Sequence, residues 1–186
     1  MTISPQRYLV LLYSLVGVLV LLDQLTKIIV KSSLALGESV NVIGTFLRLT
    51  LLYNDGGAFS TQLGPTLFYT IISACIAGVL IYLIYRHSSR DRLVALALAV
   101  VASGALGNLI DRIYLNSVID WIDFEFFNIH IAPGKFLFWQ HSGYHLTRWP
   151  VFNVADAAVT VGIVLLIFHV LFRRSGDQDA DPQTES

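Results

Sequence analysis

Four long apolar stretches dominate the pattern of this chain. Tyr8–Val30 runs for 23 residues with only Asp23 and Lys27 charged, and Leu67–Tyr85 runs for 19 with no charge. Leu93–Ile110 is uncharged until Asp111 closes it, and Phe152–Phe172 holds 21 residues with Asp156 alone near its start. Each approaches the ~20 residues an α-helix needs to cross the hydrocarbon core of a bilayer. The pattern predicts transmembrane helices at about 8–30, 67–85, 93–111 and 152–172. A soluble bundle would need a polar stripe on every helix, and the second and third stretches have none. No small-x-small cleavage site follows the first stretch, so it reads as a retained helix.

The segments between these spans carry strand signals. Ser39–Tyr53 is rich in β-branched and aromatic residues with partial alternation, which predicts a short strand. Trp121–Ile131 sets Ile122, Phe124 and Phe126 against Asp123 and Glu125 ahead of a Pro133-Gly134 turn signal, which predicts another. Trp121, Trp139 and Trp149 suit the membrane–water boundary. The expected architecture is an α-helical integral membrane protein. Four spans form one domain over residues 1–174, with a small extended β platform on the outer face. The polar tail 175–186, with Asp177, Asp179, Asp181 and Glu185, is expected to be disordered.

Composition narrows the partners. Of 186 residues, 55% are hydrophobic and 13% charged, with mean hydropathy +0.66, where a soluble domain has about a quarter charged. One cysteine, Cys75, excludes an intrachain disulfide framework and a multi-cysteine metal site. A net charge of −1 gives no footprint for nucleic acid. Residues 1–7, 86–92 and 173–186 hold six Arg or Lys in 28 positions, against five in 74 for residues 31–65 and 112–150. That asymmetry predicts both termini in the cytoplasm, with 31–65 and most of 111–151 outside.

A charge at membrane depth costs at least ~2.5 kcal/mol on insertion scales, so each one asks for a reason. Asp23, Lys27, Asn108, Asp111, Arg112, Asp120, Asn153 and Asp156 all fall toward the predicted outer end of their elements. Asp23 and Lys27 are i, i+4, so one neutralises the other on one helix face. Asn108 and Arg112 are also i, i+4, with Asp111 on the face of Asn108. Asn153 reads as a helix N-cap, and Asp156 as a first-turn carboxylate favoured by the helix dipole. A second carboxylate at the same depth, Asp120, has no such structural explanation. Two carboxylates held close in a poorly solvated site cannot both ionise cheaply, so one keeps its proton while the other activates water.

Competing chemistries are weaker. No GxSxG or HExxH motif is present. His141 and His145 could in principle hold a metal, but no acidic residue separates them, and neither a metal nor an organic cofactor is expected. Asp55-Gly56-Gly57 lacks the GK[ST] of a phosphate loop and reads as a tight turn allowing close backbone approach. Ser103-x-x-x-Gly107 reads as a helix contact. Polar residues at one end of the spans favour a site over a transport path.

Five motifs carry a family resemblance: Asp23-Gln24-Leu25-Thr26-Lys27, Asn54-Asp55-Gly56-Gly57-Ala58-Phe59-Ser60, Gly104 through Asp111-Arg112, Val118-Ile119-Asp120-Trp121 and Phe152-Asn153-Val154-Ala155-Asp156. In this order on four spans, the chain resembles the lipoprotein signal peptidases, the bacterial signal peptidase II family. The resemblance implies an aspartyl intramembrane protease of the bacterial inner membrane, its active site toward the outer face. Such an enzyme cleaves prolipoproteins on the amino side of a diacylglyceryl-modified cysteine. Asp120 and Asp156 then match the catalytic pair. Asn54, Gly56, Asn108, Arg112 and Asn153 match positions that shape the site or contact substrate, and Asp23, Lys27 and Asp111 match supporting positions. The implied partners are diacylglyceryl-modified prolipoproteins, membrane lipids and globomycin-type inhibitors, with the protein a monomer. Two features depart from the family. Asn116 stands where glycine is usual, and asparagine tolerates a left-handed backbone better than most residues. The aspartates lie 36 positions apart, with a longer intervening segment that is expected to be lid-like.

Overall fold

The computed structural model describes residues 3–56, 66–125, 129–131, 134–136, 139–141, 144–146 and 148–178. Its four helices are α1 (Pro5–Ser33), α2 (Thr66–His87), α3 (Arg92–Leu115) and α4 (Val154–Gln178). All four are long and apolar enough to cross a membrane. They overrun the predicted spans because their ends are capped by polar residues outside the apolar runs. Ser4 Oγ accepts from the Arg7 N–H at 3.4 Å ahead of Pro5, and Asp91 Oδ1 accepts from Val94 N–H at 3.1 Å. Asn116 ends α3 in the left-handed conformation, φ 55°, as the substitution for glycine anticipated. α4 runs to Gln178, four residues into the tail expected to be disordered, and 179–186 lie outside the described residues.

Helix α3 is the axis of the bundle. Of its most apolar stretch 44% is buried, against 17–22% for the other three helices. α1, α2 and α4 all pack along it, while among the described residues α2 and α4 make no extensive contact with each other. Lipid is as apolar as leucine, so close approach of small residues rather than a hydrophobic driving force holds such helices together. A Cβ on Gly104 would run into the Ala155 carbonyl of α4, and one on Gly162 would meet Val101 Cγ2 at 2.5 Å. Ser103 and Gly107 are buried on the same helix, in keeping with the packing expected of them. Val10, Leu11, Val18, Leu21, Ile28 and Ile29 stay exposed along α1, as a lipid-facing surface would require.

At one end of the bundle, strands β1 (Ser39–Ile43), β2 (Leu47–Asn54) and β3 (Val118–Phe124) form an antiparallel sheet in that order. The sequence suggested one strand over Ser39–Tyr53; Gly44, at φ 52°, instead folds it into a hairpin. Trp121–Ile131 is likewise not one strand. β3 starts at Val118 and stops at Phe124, and Ile129–Ile131 forms a separate strand, β4, paired with β7 (Tyr144–Leu146). β5 (Gly134–Phe136) pairs with β6 (Trp139–His141), so Gly134 lies inside a strand rather than at the reversal. Each of these two-stranded sheets is antiparallel, and β5 and β6 lie between β4 and β7 in sequence. Phe152 returns beside Ile122, on the edge of β3 away from β2.

Candidate active site

The polar residues singled out in the sequence converge where α1, α3, β3 and the start of α4 meet the sheet. At the bottom lies Lys27, 1% exposed, with all three of its donors used: Asp23 Oδ2 and Asp111 Oδ2 at 2.8 Å each and Asn108 Oδ1 at 3.0 Å. The expected Asp23–Lys27 pairing is therefore present, but Asp111 shares the lysine. The remaining lone pairs hold backbone. Asp23 Oδ1 accepts from the Ala155 N–H at 2.9 Å, and Asp111 Oδ2 from the Ile119 N–H at 3.1 Å. Ala155 precedes Asp156 and Ile119 precedes Asp120, so this buried ion cluster fixes the main chain beside each carboxylate. Gly107 leaves room for it, since a Cβ there would meet Asp23 Oδ2 at 2.6 Å. Gln24 completes the cluster through Nε2, near Asp111 Oδ1 at 2.9 Å and the Gly107 carbonyl at 3.1 Å. Its role was not read from the sequence, although it sits inside the Asp23–Lys27 motif.

Above this floor, two asparagines link the two aspartates. Asn153 caps α4 as expected: its Oδ1 accepts from the Asp156 N–H at 2.9 Å, while Asp156 Oδ2 accepts from the Asn153 N–H at 3.1 Å. With Oδ1 so engaged, Nδ2 must face the other way. It donates to Asp120 Oδ1 at 2.7 Å and lies 3.1 Å from Asn108 Oδ1. Asn108 Oδ1 also accepts a hydrogen bond from Lys27 Nζ, so its Nδ2 faces Asp156 and donates to Oδ1 at 2.8 Å. Asn153 is fully buried and bonded to both carboxylates.

Asp120 is 5% exposed, whereas Asp156 is partly open. Burial, and then the negative charge of Asp156, push the Asp120 carboxyl up to about 6 against the hydrogen bonds from Asn54 and Asn153. Asn54, at the end of β2, donates from Nδ2 to Asp120 Oδ2 at 3.1 Å and accepts the Gly56 N–H at 3.1 Å. Arg112 Nη2 reaches the Gly56 carbonyl at 3.3 Å, within electrostatic range of both Asp156 and Asp120. The structure thus brings together every residue proposed from the sequence. His130, His141 and His145 lie on β4, β6 and β7, and their side chains fall outside the described residues.

One prediction about β3 fails. Alternation set Asp123 on a polar face, but it is 3% exposed, while Ile122 and Phe124 are only half-buried. Both faces of β3 are covered, so alternation does not separate core from solvent. Asp123 is paired with Arg48 and Arg148. The sequence pattern gives none of the three a role at the site.

A carboxylate pair of this kind, one buried with a raised affinity for protons and both held by amide donors, can divide acid and base roles around one water. Comparison with known proteins places the chain in a family. The family model described as "Signal peptidase (SPase) II" matches residues 15–172. The chain belongs to the lipoprotein signal peptidases. It is 35% identical over 176 residues to the lipoprotein signal peptidase of Desulforapulum autotrophicum, covering 92% of this chain and 98% of that one. To the lipoprotein signal peptidase of a Janthinobacterium species it is 40% identical over 161 residues, covering 84% and 86%. Among solved structures it is similar to a bacterial membrane enzyme determined by the in meso method at 2.3 Å, with TM-score 0.71, 29% identity and coverage of 92% and 94%. A second such structure, at 1.9 Å, gives TM-score 0.65 and 30% identity. Membership makes the chain a multi-pass membrane hydrolase of aspartic-protease type.

Proposed function

We propose that Asp120 and Asp156 are the catalytic pair of an endopeptidase that cuts prolipoproteins on the amino side of the diacylglyceryl-modified cysteine. The observation that carries this reading is Asn153, which bonds Asp120 through Nδ2 at 2.7 Å and Asp156 through its main-chain N–H at 3.1 Å. The pair shares one proton. The ionised carboxylate takes a proton from water as its oxygen attacks the scissile carbonyl, and the protonated carboxyl gives its own to the carbonyl oxygen. On collapse of the tetrahedral intermediate, the carboxyl that took the water's proton gives it to the departing amine, and the other carboxylate takes a proton back from a hydroxyl of the intermediate. Asn54 and Gly56, tied to Asp120 and Arg112, shape the substrate side of the site.

Substrate enters from the bilayer between α2 and α4, which both lean on α3 without packing closely on each other. Its lipid chains remain in the hydrocarbon while the sheet presses the peptide toward the carboxylates. The arginine and lysine asymmetry supports cytoplasmic termini, and hence a site toward the outer leaflet of a bacterial inner membrane.

Purified protein incubated with a diacylglyceryl-modified prolipoprotein tests this directly. Mass spectrometry is expected to show a mature product beginning at the lipidated cysteine, with globomycin blocking its formation. Cleavage elsewhere, or equal cleavage of the unlipidated precursor, contradicts the proposed specificity.

A further inference from the structure

Three residues beyond Asp120, β3 carries another buried carboxylate, Asp123. Its Oδ2 accepts from Thr50 Oγ1 at 2.8 Å and Arg48 Nε at 3.2 Å, and its Oδ1 accepts from Arg148 Nε at 2.6 Å. Arg148 does more than pair with this charge. Its Nη2 donates to the Asp123 carbonyl at 3.2 Å, and its Nη1 to the Thr45 carbonyl at 3.1 Å and Glu125 Oε2 at 3.4 Å. A single guanidinium therefore joins the β1–β2 turn, the end of β3 and the strand returning toward α4.

The bonds that follow run inward in order. Trp149 N–H donates to the Phe124 carbonyl at 3.0 Å; Phe152 N–H donates to the Ile122 carbonyl at 3.1 Å, and the Phe152 carbonyl accepts from the Ile122 N–H at 2.7 Å. The next residue is Asn153, bonded to Asp120, and three further on is Asp156. The chain leaving Asp120 and the chain arriving at Asp156 are thus the two sides of one short antiparallel stem. The Asp123–Arg148 pair closes its far end.

We propose that Asp123 and Arg148 are positioning residues for the reaction, their ion pair fixing the register of this stem and with it the placement of Asn153 and Asp156 against Asp120. The proposal rests on the assignment of Asp120 and Asp156 as the catalytic pair. An apolar contact could close a stem equally well, and replacing a buried ion pair by apolar residues is often neutral for stability. What the planar fork of arginine adds is direction: each donor meets its acceptor in only one register. A slip by one residue would turn alternate side chains to the opposite face.

The test uses the full chain in lipid, with turnover of the diacylglyceryl prolipoprotein measured for Arg148→Gln, Asp123→Asn, the double variant and Arg148→Lys. Displacement of about 1 Å at a reacting centre costs up to ~100-fold. Arg148→Gln and Asp123→Asn are expected to lower kcat about tenfold or more per folded molecule, with KM within about twofold. Arg148→Gln is expected to cost less on the Asp123→Asn background than alone, because the shared interaction is already gone. Arg148→Lys keeps the charge but not the fork, and provides a folded variant still expected to lose about threefold. Wild-type kcat in the single variants, with only a lowered Tm, overturns the proposal, as do strictly additive effects. Asp120→Asn runs in the same assay. If it stays active, the catalytic assignment fails; if it is inactive while Arg148→Gln is fully active, only the positioning role fails.

Discussion

Lys27 shows what each buried charge does at the scale of a residue. Its ammonium serves two carboxylates and an amide, and those carboxylates in turn hold the N–H groups beside Asp120 and Asp156. Lys27→Met leaves Asp23 and Asp111 buried without a counter-charge, which costs about 3–5 kcal/mol. A large fall in Tm and loss of folded yield are the expected outcome; a near wild-type melting curve would deny the cluster its supporting role. The Asp120 carboxyl, raised to about 6, has a stability signature of opposite sign to that of an ordinary paired aspartate. Its folded value lies above the unfolded one, so its contribution is fully present below about 4 and is lost as pH rises through about 6. Tm is expected to decline between about pH 4 and 6, and Asp120→Asn to flatten that decline. On the proposed mechanism, with the shared proton on Asp120, that proton sets the alkaline limb of kcat/KM. Asn54→Ala removes a bond that favours the ionised carboxylate, so that limb should move to higher pH. Asp123 behaves conversely: burial alone would raise its carboxyl, but hydrogen bonds and charge from Arg148, Thr50 and Arg48 hold it below the usual range. Its contribution is present above about 4 and lost on further acidification.

At the scale of elements, the helices were legible because twenty apolar residues in a row have few other uses, and their caps lay just outside the runs. Asn153 was legible as a cap for the same local reason. The amide bridge from Asp120 through Asn153 and Asn108 to Asp156 was not, since it joins β3, α4 and α3 and no local spacing encodes it. Asp123 and Arg148 were missed because β3 is covered on both faces and its partner lies 25 positions away. Asn116 offers a local check. In its left-handed position, Asn116→Gly should be neutral or slightly stabilising, while Asn116→Val should destabilise by about 1 kcal/mol or more. Equal melting temperatures for the three proteins would show that the α3 terminus does not depend on that geometry.

For the whole molecule, α3 is the common support on which α1, α2 and α4 meet, and the sheet closes the polar end of that bundle. Gly104 and Gly162 let α3 and α4 approach closely enough for Asn108 to reach Asp156. On the proposed function, the two aspartates at this junction perform the hydrolysis. Turnover of the diacylglyceryl prolipoprotein by Asp120→Asn and Asp156→Asn, each shown to be folded in lipid, decides that assignment. Each substitution alone is expected to lower kcat by about 10³-fold or more, with the double variant little worse than either, as for groups that act as a unit. Wild-type turnover by either folded variant would contradict it.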